Sequence, residues 1–187
     1  MPHEIVRTRA AHEGWTRLLV ATVRLEDGGE VQREIEDHGD AVAVLPYDPE
    51  RRVALLVRQL RPPVVFVGGP PALLEAPAGQ LDEDDPAACA RREAREEVGL
   101  TLGELEFVGR PWASPGLSTE RISLYLAPYR AADRVTEGGG DETEHITVAE
   151  LPLRELAELL REGRLEDLKT VALVQALLLR HPDLFGA

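Results

Sequence analysis

AGQLDEDDPAACARREAREEVGL, residues Ala78–Leu100, is the stretch whose reading decides the fold. Pro86 suits the first turn of a helix and Gly99 suits its C-terminal stop, so a helix is predicted over 86–98. At about 100° per residue, Glu93, Glu96 and Glu97 fall within an arc of roughly 100°. Ala87, Ala90, Ala94 and Val98 occupy an adjoining arc, and Arg91, Arg92 and Arg95 lie largely opposite the acids. The small apolar arc suits close packing on a sheet. The acidic arc gathers three carboxylates that repel one another unless something positive lies between them. Hard divalent cations favour such oxygen ligands. The alternative is a solvated helix face laced with ordinary Glu–Arg pairs.

Outward from this helix, apolar segments and turn residues predict a mixed architecture. Residues 15–24 and 31–36 read as strands joined at Asp27-Gly28-Gly29, an N-terminal β-hairpin lobe over 1–40. Strands follow at 41–46 and 53–59, linked by the turn chemistry of Tyr47-Asp48-Pro49-Glu50. The Pro- and Gly-rich stretch 61–72 reads as a loop. Further strands are expected at 73–76, 104–112, 122–129 and 146–150, and helices at 153–162 and 168–180. Residues 137–140, EGGG, read as a flexible loop. The fold class is α/β (α+β), with a mixed sheet between helices forming a main domain over 41–187.

Composition narrows the function. A formal charge of −13 disfavours general nucleic-acid binding. It also means that an anionic substrate can approach only where a cation or local arginines reverse the field. Cys89 is the single cysteine, which excludes an internal disulfide framework and a Cys-rich zinc site. No apolar run approaches the roughly 18 residues of a membrane span, and a cytoplasmic location is the default expectation.

Gly79, Arg92, Glu93, Ala94, Glu96, Glu97, Gly99 and Leu100 resemble the Nudix box. The loop between Gly79 and Arg92 is one residue shorter than the usual spacing, which leaves Asp84 or Asp85 where that family has Glu. LVRQLR (56–61), LEAPAG (74–79), SPGLSTE (114–120) and DETEHI (141–146) are similar to segments of the branch holding ADP-ribose pyrophosphatases and GDP-mannose hydrolases. The short DEDDP loop and the following Ala-Cys are particularly like the latter.

The resemblance implies a Nudix fold and Mg²⁺-dependent hydrolysis of a nucleoside diphosphate sugar, with Mn²⁺ able to substitute. ADP-ribose, giving AMP and ribose 5-phosphate, is the first expectation and GDP-mannose the alternative. A silent nucleotide-binding module is the remote one, disfavoured because all three box acids are present. Glu93 and Glu97 would be the principal metal ligands, with Glu96 assisting and the Ala78 carbonyl completing the coordination. The water-activating base maps to the 141–144 loop. Glu142 is the first choice, with Glu144 contacting metal or orienting water, and Glu96 is counted with them among the catalytic acids.

For the substrate, the family places arginines at Arg33 and Arg61, and Arg58 is a third candidate for the diphosphate, because guanidinium forks suit phosphate oxygens. Ser114, Pro115 and Gly116 would shape a turn beside it. Glu120 would reach a metal or a ribose hydroxyl, or else form a structural salt bridge. Trp15 would stack on a purine, or anchor the homodimer in which this branch uses the N-terminal lobe to complete its partner's site. His145, Trp112 and Tyr125 read as packing residues.

Overall fold

In the computed structural model, residues 3–82, 85–140 and 145–186 are described. The chain groups into two compact units, Met1–Asp40 with Pro111–Arg121, and Ala41–Arg110 with Ile122–Ala187.

The larger unit is built on strand β4 (Ala41–Asp48), buried along almost its whole length. Its side chains alternate between two cores, which is what a period of two requires of a strand covered on both faces. Val42 and Val44 point into one core together with Leu55, Val57 and Tyr125, against Cys89, Ala90, Ala94 and Val98 of helix α2 (Pro86–Val98). Ala43 and Leu45 point the other way, with Leu56, Leu124 and Leu126. That second core is closed by Leu153 and Leu156 of helix α3 (Leu153–Arg161) and Leu173, Val174 and Leu177 of helix α4 (Leu168–Arg180). Burying each of the valine and leucine side chains contributes about 1.5–3 kcal/mol. The sheet between helices expected from the sequence is thus present.

Strand order is β10 (Thr147–Pro152), β5 (Val53–Gln59), β4, β9 (Ile122–Pro128), β8 (Glu106–Gly109). Only the β4–β9 pair among these is parallel, which makes the sheet mixed. Two three-residue strands complete it: β6 (Leu73–Glu75) pairs with β5 and β7 (Ala78–Gln80) with β4. The 61–72 loop contains a short helix, α1 (Pro62–Phe66), started by Pro62 and Pro63, whose missing N–H groups cost nothing at a first turn.

The smaller unit is a three-stranded antiparallel sheet. The expected hairpin is there as β2 (Arg17–Arg24) and β3 (Glu30–Asp37), and β1 (Glu4–Glu13) extends it on the β2 side. β1 is exposed throughout. Its sequence carries no hydrophobic alternation because pairing with β2, rather than burial, holds it in place. Residues Pro111–Arg121 join this unit through β3: Thr119 N–H donates to the Glu36 carbonyl at 3.0 Å, Glu36 N–H to the Leu117 carbonyl at 2.9 Å, and the Thr119 hydroxyl to Asp37 at 2.9 Å.

Candidate functional site

Helix α2 starts where a side chain can satisfy its free N–H groups: Asp85 is the N-cap and accepts from Ala87 N–H at 2.9 Å. Gly99 ends it in the left-handed conformation. One face is packed so tightly that Cys89, Ala90, Ala94 and Val98 are fully covered. On the adjoining arc, Glu93 and Glu97 are also buried, at 8% and 3% exposure, while Glu96 is exposed. Burial therefore separates three acids that a helical projection groups together.

The two buried carboxylates converge on consecutive residues of β7. Glu97 accepts the Ala78 N–H at 3.1 Å. The Glu93 carboxylate lies against Gly79 so closely that a Cβ there would stand 2.0 Å from Oε1 and 2.1 Å from Cδ. Gly79 is therefore a site of close approach, and its missing side chain makes room for an acid. Burying two ionised carboxylates together is costly unless opposite charge compensates them. Arg92 supplies part of that charge, with Nη1 at 2.9 Å from Glu93 and 3.1 Å from Glu96. The projection puts Arg92 away from the acids, but its long side chain reaches back to them. Burial opposes the Arg92 charge, yet Glu93, Cys89 and Glu96 outweigh it and hold its pKa above the ordinary value.

The donor set fits a hard divalent cation. It consists of oxygen ligands on a rigid helix, next to a backbone strand that carries the Ala78 carbonyl. Among the described residues, no three His, Cys, Asp or Glu side chains form a cluster that would hold an ion by themselves. A cation here needs backbone, water or substrate oxygens as well, which is the ordinary habit of Mg²⁺.

The segment following residue 137 is tied to the end of this helix. Gly139 N–H donates to the Glu97 carbonyl at 2.8 Å and Gly140 N–H to the Glu96 carbonyl at 3.1 Å. A Cβ on Gly138 would meet the Glu97 carbonyl oxygen at 2.4 Å, and its φ of +74° favours glycine as well. The triplet that reads as flexible is instead a cap on the last turn of α2. Composition alone cannot separate a glycine chosen for mobility from one chosen for contact. Glu142 and Glu144, the expected base and its neighbour, lie outside the described residues.

Arg61 sits beyond β5 and is paired with buried Glu75 of β6, Nε to Oε1 at 2.8 Å and Nη2 to Oε2 at 2.9 Å. Its hydrogen bonds to Glu75 hold its pKa above the ordinary value against the opposing effect of burial. Glu75 also pairs with Lys169, which in turn lies 3.0 Å from Asp167, the N-cap of α4. The Thr170 hydroxyl accepts from Ala76 N–H at 2.7 Å, so the network holds the strand segment leading into Ala78. Arg58, in β5 opposite Leu74 and Thr147, is exposed.

Trp15, Arg33, Ser114, Pro115, Gly116 and Glu120 belong to the smaller unit. Trp15 is 76% exposed and stacks on His38 at 4.9 Å between ring centroids. His38 lies between two acids, Nδ1 at 2.7 Å from Glu36 and Nε2 at 3.3 Å from Glu120. Glu120 thus has a polar partner in the His38 ring. Arg33 is exposed and donates to the Gln32 carbonyl. The Ser114 turn is closed by Leu117 and Ser118 N–H, both given to the Ser114 carbonyl. Those two donors are used internally, and Pro115 has none. Trp112 is 52% exposed with Arg121 over its ring at 5.1 Å, whereas Tyr125 is buried.

Glu75, Lys169 and Arg92 escaped the sequence reading as site residues. One signal was available: Lys169 is the only lysine among the 21 lysine and arginine residues of the chain.

The NUDIX domain model matches residues 37–174. The GDP-mannose pyrophosphatase of Cronobacter sakazakii is 41% identical over 182 residues, covering 95% of each chain. That of Pectobacterium atrosepticum is 37% identical over 184 residues, covering 96% of this chain and 95% of its own. The crystal structure of an ADP compounds hydrolase superposes with a TM-score of 0.79 over 98% of this chain and 96% of that one. Its 18% identity makes this a likeness of fold alone.

Proposed function

We propose that this chain, which belongs to the Nudix family, hydrolyses the pyrophosphate bond of a nucleoside diphosphate sugar to a nucleoside monophosphate and a sugar phosphate. The observation that carries the reading is the seating of two buried glutamates, Glu93 and Glu97, on Gly79 and Ala78. The relatives' names favour GDP-mannose over ADP-ribose as the sugar nucleotide.

Glu93, Glu97 and the Ala78 carbonyl would hold a divalent cation, with Glu96 at its exposed margin. A bound Mg²⁺ or Mn²⁺ would supply Lewis acidity, offsetting charge on the diphosphate and lowering the pKa of water. The chain's own residues do the rest. Arg92 pairs with the Glu93 carboxylate and orients it. Arg61 donates to phosphate oxygens, which suits its planar fork. We assign proton removal from the attacking water to Glu142 or Glu144. The rigid helix and strand set the ligands before substrate arrives, so little reorganisation is needed at the moment of reaction.

The assembly we propose is a homodimer. β1 ends the smaller sheet and is exposed along its length, an edge that a second copy would cover. Light scattering that gives a monomer at micromolar concentration would count against it. No described helix is long and apolar enough to cross a membrane. We place the enzyme in the cytoplasm, where its lone buried thiol stays reduced.

Steady-state rates on GDP-mannose, ADP-ribose, NADH and dinucleoside polyphosphates at constant free Mg²⁺ test the proposal. Products from ¹⁸O water, identified by mass, locate the phosphorus attacked. Failure to turn over any nucleoside diphosphate sugar would overturn it.

A further inference from the structure

Glu75 is 2% exposed and accepts from two cations at once, Arg61 through two N–H groups and Lys169 through its ammonium. A buried carboxylate with this many charge-assisted donors is fixed in place, and it fixes its partners in return. The Arg61 side chain is 38% exposed, so the fork is only partly enclosed. Its Nε–Nη2 edge is spent on Glu75, and Nη1 is the terminal nitrogen that the pair leaves over. Asp167 balances Lys169 at 3.0 Å, so the four side chains are neutral together.

Glu75 is separated from Ala78 by Ala76 and Pro77. Ala76 N–H is bonded to Thr170, beside Lys169, and the Pro77 carbonyl accepts from Val44 N–H at 2.9 Å. One carboxylate therefore anchors the guanidinium and the strand bearing Ala78 and Gly79 to the same point.

We propose that Glu75 is a positioning residue for the diphosphate: it occupies one edge of Arg61 and thereby fixes the other edge as the phosphate donor. The proposal rests on the hydrolase reading above. It assigns Glu75 no contact with substrate.

The test is a mutant cycle on the full-length enzyme, with GDP-mannose as substrate and saturating Mg²⁺. Glu75→Gln keeps the shape but offers Arg61 a single acceptor oxygen. KM should rise about tenfold with kcat changed less than about threefold, the loss expected of a charge-assisted bond. Arg61→Lys should raise KM at least as much. In the double variant the two effects should not multiply, because Glu75 acts through Arg61. Independent, multiplying effects would overturn the proposal, as would an unchanged KM in either single variant. Glu75→Asp guards against a folding failure, since it keeps the charge among the cations while withdrawing the carboxylate by one methylene. With its melting curve intact, it should also raise KM, and a wild-type KM would refute the idea. A wild-type enzyme inactive on every nucleoside diphosphate sugar would instead refute the hydrolase reading, so the two failures are distinguishable.

Discussion

Replacing Gly79 with alanine should abolish most activity while scarcely disturbing the fold. The added Cβ would stand 2.0 Å from Glu93 Oε1, 2.1 Å from Cδ and 2.6 Å from Oε2, where ordinary contact begins near 3.4 Å. The carboxylate must therefore retreat by about 1.4 Å. It is the far end of a flexible side chain, so the retreat costs about 0.5–1.5 kcal/mol in off-rotamer strain. Reduced entropy of the unfolded chain on Gly→Ala offsets about 0.4–1 kcal/mol of that. The melting temperature should fall by less than about 4 °C. Catalysis tolerates no such movement: misplacing a reacting or ligating group by about 1 Å costs on the order of a hundredfold. Turnover of GDP-mannose across a Mg²⁺ titration, beside thermal unfolding, measures both quantities. We expect kcat/KM down about a hundredfold and half-saturation by Mg²⁺ shifted upward. A Gly79→Ala enzyme with wild-type turnover and wild-type Mg²⁺ dependence would refute the claim that Glu93 is seated on Gly79 to serve a cation.

Glu97→Gln should retain the hydrogen bond from Ala78 N–H, and hence the fold, yet lose at least about a hundredfold in turnover, because a neutral amide is a poor ligand for a hard cation. Circular dichroism with activity assays checks this, and unchanged turnover would contradict it. Gly138→Ala should destabilise by about 2 kcal/mol in urea unfolding. Its Cβ would meet backbone at 2.4 and 2.7 Å, and backbone, unlike Glu93, cannot swing aside. Acidification should release residues 117–119 from β3 before the larger sheet opens. Thr119 and then Arg17 hold the Asp37 carboxyl below its usual range, and hydrogen bonds from Ser118, Thr16 and His38 outweigh burial to do the same for Glu36. A depressed carboxylate contributes stability above its unfolded pKa and loses it as pH falls through the folded one, so loosening should set in below about pH 4. Amide exchange of this segment across pH 5 to 3 reads it out, and exchange that stays slow until global unfolding would contradict it.

The larger sheet and its helices were legible because both report themselves locally. β4 announces a doubly buried strand by its apolar run, and α2 announces its ends by Pro86 and Gly99. The placement of β1, the segment 111–121 and the glycine triplet was not legible. Each is held by backbone hydrogen bonds, β1 to the neighbouring β2 and the other two to segments far along the chain, and backbone groups are the same in every sequence.

The sequence by itself determined the chemistry on offer: three carboxylates on one helical arc, bounded by a glycine on either side, in a chain too acidic to attract a phosphate unaided. Only the tertiary structure decided which of those acids is sheltered. Glu93 and Glu97 are enclosed by β7, whereas Glu96, one residue before Glu97, faces water. Helical spacing fixes angles around one axis, but burial depends on what packs against that axis. Here that is a three-residue strand positioned by β4 and, through Ala76, by the start of α4.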